Sequence, residues 1–244
     1  MDTVGRLVMV TKRFGDEPVI DRVSVDFYGG EVVGLVGPNG SGKTTLMNLL
    51  CGALNPDSGE VWVKGKQLEL HSISEGMAEG VRLLPQFLQI YPSLNVLENI
   101  FIGQEITRRF PFPKLMAWRQ MAQTARDLLN RVGADRLDPR SLASVLSGGQ
   151  QKAVALARLL VKPADLLIFD ESTDSLGIRQ KNRLLEVMKT EAKGGKSVVF
   201  ISHDVEDILA VCDRVVVLRK GRLVSDQRSE SLNSESLAVL MGVM

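Results

Sequence analysis

The sequence predicts an α/β fold with a mostly parallel sheet, an antiparallel β layer near the N-terminus and an inserted helical lobe. Two observations carry this prediction. Short apolar runs rich in β-branched residues recur along the chain, several of them followed by helical patterns, and one long stretch has helical spacing. With 244 residues, of which 44% are hydrophobic and 24% charged, the chain can bury a large core.

Two groups of apolar runs are predicted to form strands. The first group is separated by Gly, Pro and Asp turns, which is typical of antiparallel strands, and comprises Leu7–Val10, Val19–Phe27 and Glu60–Val63. The second group lacks polar alternation, which favours parallel strands covered on both faces. It comprises Val32–Val36, Val81–Leu84, Leu166–Phe169, Val198–Ile201 and Arg214–Leu218.

Residues 92–162 are predicted to form the helical lobe, inserted into a single domain that spans residues 1–244. Within this lobe one helix face carries Met121, Ala125, Leu128, Leu129 and Val132. The segment Phe110–Pro113 predicts a loop, because two prolines do not fit a helix interior. Ser234–Val243 predicts a short C-terminal helix.

Composition limits the partners. Thirty Lys and Arg residues balance 29 Asp and Glu residues, so the net charge does not indicate a surface that binds nucleic acid, and we expect no such partner.

Cys51 lies in an apolar helical stretch, which favours a buried free thiol. No segment approaches the roughly 18 to 20 apolar residues that cross a bilayer, so we expect any membrane role to depend on a partner protein.

The most specific motif lies between Val32–Val36 and the helical run Thr45–Leu50. It reads Gly37, Pro38, Asn39, Gly40, Ser41, Gly42, Lys43 and Thr44, and Thr45 completes this predicted nucleotide site. Glycines let backbone N–H groups point at phosphate oxygens, and the helix N-terminus favours negative charge. This context favours a phosphate-binding loop over a glycine-rich turn with an incidental lysine. We expect Lys43 to reach the β- and γ-phosphates of ATP during catalysis and Thr44 to ligate Mg²⁺.

Two adjacent carboxylates, Asp170 and Glu171, end the run Leu166–Phe169. Open α/β sheets bind ligands at the carboxyl ends of their strands. Taken alone, such acids also fit a solvated turn, but together with a phosphate-binding loop they favour catalysis. We expect Asp170 to hold Mg²⁺ and Glu171 to polarise the water that attacks the γ-phosphate.

A third motif, Leu146 to Gln150, precedes a helical run and lies about twenty residues before the two carboxylates. Alone it is an ordinary loop. In this order it resembles the LSGGQ signature of the ABC ATPase family, and the resemblance extends from Phe14 to about Gly221. It implies a P-loop NTPase core and a nucleotide contact by Ser147, Gly148, Gly149 and Gln150.

The same resemblance implies roles for three further residues. Gln86, after the strand Val81–Leu84, looks like the glutamine of the family's Q-loop and is expected in catalysis and at the metal. His203 looks like the catalytic switch histidine, with a strand-end cap as the alternative. Phe14 resembles the aromatic residue that stacks on adenine, with a place in the core as the alternative.

The resemblance also implies that two subunits enclose two ATP molecules, with Lys43 of one facing Ser147 and Gly149 of the other. The partner is a second copy, giving a homodimer, or a related ABC ATPase subunit, giving a heterodimer. After the paired carboxylates the family's usual Pro-Thr is Ser172–Thr173, and a common Asp is Gly177. Because that Asp helps to connect the two sites, we expect weaker coupling here, or coupling supplied by a different partner subunit.

Three stretches resemble the ATP-binding subunits of bacterial simple-sugar importers of the ribose type: Glu98–Glu105, Thr173–Leu176 and the tail Ser231–Leu237 with Met241 and Gly242. That branch implies a transmembrane permease, an extracytoplasmic solute-binding protein and a peripheral place at the cytoplasmic face of the cell membrane. Alternatives are an importer of branched-chain amino acids, a lipid exporter, a soluble non-transport ABC ATPase and a module that binds nucleotide without hydrolysis.

The segment Phe87–Leu94 is unusually apolar for a loop. In the family this region, with the helical lobe, receives a coupling helix of the permease, so the resemblance predicts a docking surface. The alternative is that these residues close the lobe's own core.

Overall fold

The computed structural model describes residues 2–68, 76, 79–86, 89–108, 115–173 and 176–242. Its strands are β1 (Thr3–Arg13), β2 (Pro18–Tyr28), β3 (Val32–Val36), β4 (Ser58–Val63), β5 (Lys66–Gln67), β6 (Val81–Leu84), β7 (Thr107–Arg108), β8 (Leu115–Met116), β9 (Leu166–Asp170), β10 (Ser197–Ile201), β11 (Arg214–Arg219) and β12 (Arg222–Arg228). Its helices are α1 (Lys43–Leu50), α2 (Val96–Phe101), α3 (Trp118–Arg131), α4 (Gly148–Leu159), α5 (Ile178–Lys193), α6 (Val205–Val211) and α7 (Ser234–Met241), with 3₁₀ turns at Ala143–Val145 and Ser229–Ser231. The predicted loop Phe110–Pro113 and the predicted docking residue Phe87 lie outside the described residues.

The antiparallel layer near the N-terminus is confirmed. Its strands follow the order β2-β1-β4-β5, and β1 is antiparallel to both β2 and β4. Leu7 pairs with Val25 on one side and with Val61 on the other, and all three side chains are buried in the hydrophobic core. The strand β5 was not predicted, because its two residues are polar and exposed.

The mostly parallel sheet is also confirmed, with the order β12-β11-β3-β10-β9-β6. Every residue of β3, β9 and β10 is buried, as the lack of polar alternation predicted. Since β10 lies between β3 and β9 and is parallel to both, the carboxyl ends of these three strands meet at one edge. The antiparallel edge strand β12 was missed, because its run is mostly polar.

The predicted helix face within residues 92–162 is confirmed in α3. Met121, Ala125, Leu128 and Leu129 are buried there, and Val132, the C-cap residue, is buried too. The strands β7 and β8 pair antiparallel in the same region and were not predicted, because each contains only two residues.

The chain divides into two compact units. The first contains the described parts of Met1–Gln86, Ala164–Ser172 and Met188–Met244, and the second those of Phe87–Pro163 and Thr173–Val187. The predicted lobe falls within the second unit, which also takes the first part of α5. The single domain over residues 1–244 stays a prediction.

Three smaller features complete the fold. The helix α7 confirms the predicted C-terminal helix. Cys51 is a buried free thiol, as predicted, and Cys212 is another. Within the described ranges no helix combines the length and the apolar character needed to cross a bilayer.

Candidate functional site

The phosphate-binding loop connects β3 to α1 and requires glycine at two positions. Gly37 has a φ of 149°, and a Cβ there would lie 2.0 Å from the carbonyl oxygen of Leu218. Gly42, the N-cap of α1, has a φ of 102°, and a Cβ there would lie 2.7 Å from Ile20 and 2.8 Å from the carbonyl oxygen of Val19. Residues with a Cβ do not fit such positions, so the shape of the loop depends on these glycines.

Lys43 folds back over the loop that precedes it. Its Nζ atom donates hydrogen bonds to the carbonyl oxygens of Gly37 at 2.8 Å and Pro38 at 3.1 Å. Burial lowers the pKa of the Lys43 ammonium, against the opposing charges of Glu171 and Asp170. No side chain caps the N-terminus of α1, and its first turn has no acidic residue. An ammonium group and a helix N-terminus together favour an anion such as phosphate.

Thr44 and Asp170 meet beside this loop. The Thr44 hydroxyl donates a hydrogen bond to Asp170 Oδ2 at 3.1 Å. Asp170 is only 4% exposed, and burial raises the pKa of its carboxyl, while the Thr44 hydrogen bond opposes the shift. A hydroxyl and a carboxylate are hard oxygen donors of the kind that Mg²⁺ prefers, so this pair fits the predicted metal.

Glu171 lies at the end of β9 with an unusual backbone. Its φ of 43° lies in the left-handed region, which is uncommon for residues other than glycine and is often found at functional sites. Its N–H donates to the carbonyl oxygen of Ile201 at 3.0 Å, which extends the pairing of β9 with β10. Gln86 Nε2 donates a hydrogen bond to Glu171 Oε2. Two residues predicted for catalysis are thus in direct contact.

An open pocket of about 370 Å³ brings most of these residues together. It is lined by Val19, Asn39, Gly40, Gly42, Lys43, Thr44, Thr45, Gln86 and Glu171. All but Val19 are predicted site residues. Sequence reasoning missed Val19, because a valine at the start of a strand belongs to no motif, and only the fold brings its carbonyl oxygen close to Gly42.

Other predicted residues lie outside this lining. Phe14 is 58% exposed, so it does not belong to the core, and Lys12 Nζ lies 5.8 Å from the centroid of its ring. His203 follows β10 and is exposed. The adenine contact of Phe14 and the catalytic role of His203 stay predictions. The lining also lacks Gly37, Pro38, Ser41 and Asp170.

The signature motif lies in the second unit and forms the N-terminus of α4. The Ser147 side chain accepts a hydrogen bond from the Gln150 N–H at 3.4 Å, and the Gln150 side chain accepts one from the Ser147 N–H at 2.9 Å. A Cβ at Gly148 would meet no atom within 4 Å, and one at Gly149 would lie 3.5 Å from the Gln180 side chain. The motif is therefore an exposed helix start with little side-chain cover.

Comparisons with known proteins agree with this geometry. A family described as ABC transporter matches residues 20–174. The chain is 36% identical over 241 residues to the ribose import ATP-binding protein RbsA of Caldanaerobacter subterraneus, an alignment that covers 99% of this chain and 48% of that protein. It is 36% identical over 240 residues to the nucleoside import ATP-binding protein NupA of Lactococcus lactis, covering 98% and 46%. The chain spans about half the length of the curated relatives it matches.

The fold is similar to that of a solved ATP-binding cassette of an ABC transporter. The TM-score is 0.83 and the sequence identity 26%, and the match covers 98% of this chain and 96% of that chain. This likeness agrees with the predicted fold class, a P-loop NTPase core with a mostly parallel sheet and an antiparallel layer.

Proposed function

Because the chain belongs to the ABC transporter family, we propose that it is an ATP-hydrolysing subunit that powers import of a simple sugar through a separate membrane permease. The observation that carries the ATP-hydrolysing part of this proposal is the pocket at the carboxyl ends of the parallel strands. It joins an ammonium group, a helix N-terminus, a hydroxyl group and a carboxylate from Lys43, Thr44 and Glu171. These are the groups that phosphoryl transfer requires.

The phosphate-binding loop would hold the β- and γ-phosphates of ATP. Lys43 is held by two carbonyl oxygens of its own loop. Phosphate oxygens would form stronger, charge-assisted hydrogen bonds with its ammonium group. Thr44 and Asp170 would hold Mg²⁺, which when bound neutralises charge on the phosphates. A cation there would also offset the cost of burying the Asp170 carboxylate, the cost that raises its pKa.

Glu171 would act as the general base toward the attacking water, and Gln86 would orient the Glu171 carboxylate or that water. The direct hydrogen bond between these two side chains supports the pairing, because it holds the Glu171 carboxylate in one orientation. His203 would stabilise charge on the γ-phosphate, and Phe14 would stack on adenine.

The exposed signature would complete the nucleotide site of a second ABC ATPase subunit. Ser147 and the N-terminus of α4 offer a hydroxyl and backbone N–H groups, which suit a phosphate. We propose a homodimer or a heterodimer in which each signature faces the partner's phosphate-binding loop. ATP would hold the closed dimer together, and hydrolysis would favour the open state.

The relatives support the proposed cargo by name, since one is a ribose import protein and the other a nucleoside import protein. We propose that a transmembrane permease and an extracytoplasmic solute-binding protein select the sugar. The ATPase would then be peripheral, at the cytoplasmic face of the membrane. Import of branched-chain amino acids and export of lipids are the competing cargo assignments.

The permease is proposed to dock on the segment Phe87–Leu94. Of its described residues, Tyr91 is 43% exposed, and Ile90 is partly exposed. Exposed aromatic and aliphatic side chains on a loop suit a protein contact. Substituting Ile90 by Glu should uncouple transport while nucleotide binding is retained, and unaffected transport would exclude this surface.

The first experiment is purification of the tagged chain from native membranes in mild detergent, with and without ATP. Recovery of a multispan permease together with a solute-binding protein supports the importer, and the ligand of the binding protein identifies the cargo. A permease without a binding protein indicates export. Recovery of ribosomes or other soluble partners alone would contradict transport, while ATP hydrolysis by the purified chain tests the ATPase assignment separately.

A further inference from the structure

The turn that joins β1 to β2, residues 14–17, lies beside the pocket. Arg13 and Pro18 pair at its base, and the next residue, Val19, lines the pocket. All four residues of the turn are exposed, and Phe14 is 58% exposed. Packing in the core therefore does not fix the position of this turn, which depends on interactions at its base.

Asp57, the residue before β4, forms hydrogen bonds with the last three residues of β1. Its Oδ1 accepts a hydrogen bond from Lys12 Nζ at 3.0 Å, and its Oδ2 accepts one from the Arg13 N–H at 2.6 Å. Its own N–H donates to the carbonyl oxygen of Thr11 at 2.8 Å. The hydrogen bond from Arg13, and then that from Lys12, lower the pKa of the Asp57 carboxyl, so it stays charged at neutral pH.

Lys12 and Arg13 also contact the turn itself. Lys12 Nζ lies over the Phe14 ring at 5.8 Å from its centroid, a distance at which an ammonium group is attracted to an aromatic face. Arg13 Nη1 donates to the carbonyl oxygen of Asp16 at 2.7 Å. Asp57 therefore acts on the turn through two neighbouring residues. A cation over one face of the Phe14 ring leaves the opposite face for stacking.

The residues that line the pocket differ in chemistry along its length. Lys43 and Thr44 offer the charged and polar groups that suit phosphates, whereas Val19 is apolar. Adenine is a flat aromatic base, which suits contact with apolar and aromatic side chains. Phe14 precedes Val19 by five residues and is the aromatic residue of the turn. The turn therefore belongs to the side of the pocket that suits the base.

We infer that Asp57 is a positioning residue for the adenine part of ATP, because it holds the turn that carries Phe14 beside Val19. The inference rests on the proposed function, in which Phe14 stacks on adenine. Asp57 is not among the residues that line the pocket, so it acts through Lys12 and Arg13. Its loss should weaken the contacts with adenine and leave the contacts with the phosphates intact.

The test uses Asp57→Ala in the full chain, with Asp26→Ala as the matched control. Asp26 also pairs with a basic residue of β1, since it accepts hydrogen bonds from Arg6 at 2.6 and 3.1 Å, but it does not line the pocket. We expect Asp57→Ala to raise the KM for ATP about fivefold, with kcat within about twofold of the wild type. Inhibition by magnesium tripolyphosphate, which has the phosphates without adenine, should be unchanged. The control should alter none of these quantities.

A double-mutant cycle separates positioning from simple support of the fold. If Asp57 acts through Phe14, then Phe14→Ala combined with Asp57→Ala raises the KM no further than Phe14→Ala alone. An unchanged KM in either single variant, additive effects, or equally weakened tripolyphosphate inhibition would overturn the inference, while wild-type turnover still supports the proposed function. Absence of ATP hydrolysis in the wild type would instead refute the proposed function. If Asp57→Ala does not fold, Asp57→Asn, which removes only the charge, replaces it in the same cycle.

Discussion

The phosphate-binding loop and the signature motif are both glycine-rich starts of helices, yet they differ in what surrounds their glycines. At Gly37 a Cβ would lie 2.0 Å from a carbonyl oxygen of Leu218, so the chain's own packing demands glycine. At Gly148 a Cβ would meet no atom within 4 Å. No described atom of the chain accounts for glycine there, whereas the proposed dimer would bring the partner's nucleotide close to this backbone.

The pocket and the signature motif also differ in the hydrogen bonds of their polar side chains. In the pocket, Lys43, Thr44 and Gln86 donate hydrogen bonds to neighbouring groups of the same chain, so a ligand must exchange existing hydrogen bonds for stronger ones. In the signature, Ser147 and Gln150 cap their own helix and are exposed. The pocket is lined by residues of one chain, whereas the exposed signature would suit the proposed contact between chains.

The largest effect on ATP hydrolysis is expected from a substitution of the proposed general base in the pocket. Glu171→Gln removes the proposed base and keeps a side chain of the same shape beside Gln86. ATP hydrolysis should fall by about 10² to 10⁴-fold, because that is the usual contribution of a positioned base. ATP binding should be retained, and the closed dimer should accumulate. A phosphate-release assay measures ATP hydrolysis, a nucleotide-binding assay measures ATP binding, and size-exclusion chromatography measures the closed dimer.

A suitable control is Glu235→Gln, which makes the same chemical change in the first turn of α7. Its turnover should equal that of the wild type. Normal turnover in Glu171→Gln would remove Glu171 from its proposed role.

The next largest effect is expected on the affinity for ATP. Lys43→Met should weaken ATP affinity by at least about tenfold, because a charge-assisted hydrogen bond to phosphate is lost. The melting temperature without nucleotide should not fall, since methionine occupies a similar volume and spares the chain the burial of an ammonium group. Calorimetric titration and thermal unfolding check both expectations. The control is Lys193→Met, at an exposed position in the last turn of α5. Affinity within about twofold of the wild type would show that Lys43 does not hold phosphate.

The sequence predicted the parts of the fold whose hydrophobic pattern is strong. The strands β3 and β6 have the predicted bounds, and the buried face of α3 was foreseen, because burial on both faces of a strand or on one stripe of a helix leaves a periodic signal. The edge strand β12 and the short strands β5, β7 and β8 were missed. Their residues are few or polar, so only pairing with a neighbour defines them as strands.

The residues of the candidate site also divide into those that the sequence predicted and those that it did not. Lys43, Thr44 and Glu171 were predictable, because each belongs to a contiguous motif. Val19 and the pairing of Lys12 with Asp57 were not, since these contacts join residues that are distant in sequence, 45 positions apart for Lys12 and Asp57. Such partners have no local signature, and only the folded chain identifies them.

The two glycines allow one substitution to be tested in both regions. Gly37→Ala should lower the free energy of unfolding by more than about 2 kcal/mol, because the loop must move away from Leu218. Gly148→Ala should raise it by about 0.5 kcal/mol, because Gly148 does not have a positive φ and alanine restricts the unfolded chain. Urea denaturation measures both.

In the proposed dimer, Gly148→Ala should nevertheless reduce ATP hydrolysis by about tenfold, because the added methyl group separates the helix start from the partner's nucleotide. A variant that is more stable and less active supports a contact between chains. Unchanged turnover in Gly148→Ala would remove the contrast between the two regions, and the signature glycine would then need another explanation.

The smallest effect is the pH dependence that Asp170 gives to the pocket. Burial raises the pKa of its carboxyl above the ordinary value of 3.8, so between these two pKa values the folded chain binds more protons than the unfolded chain. Stability from this group is therefore present below pH 3.8 and is lost as the pH rises through the folded pKa. Asp170→Asn has no carboxyl at this position and so does not lose stability in this way. Its free energy of unfolding, measured with urea, should exceed that of the wild type. The difference should grow from about pH 4 and then level off. Added Mg²⁺ and ATP should reverse the order, because only the wild type keeps the carboxylate for the metal. A stability difference that is constant with pH would mean that the Asp170 carboxyl is not destabilised by burial.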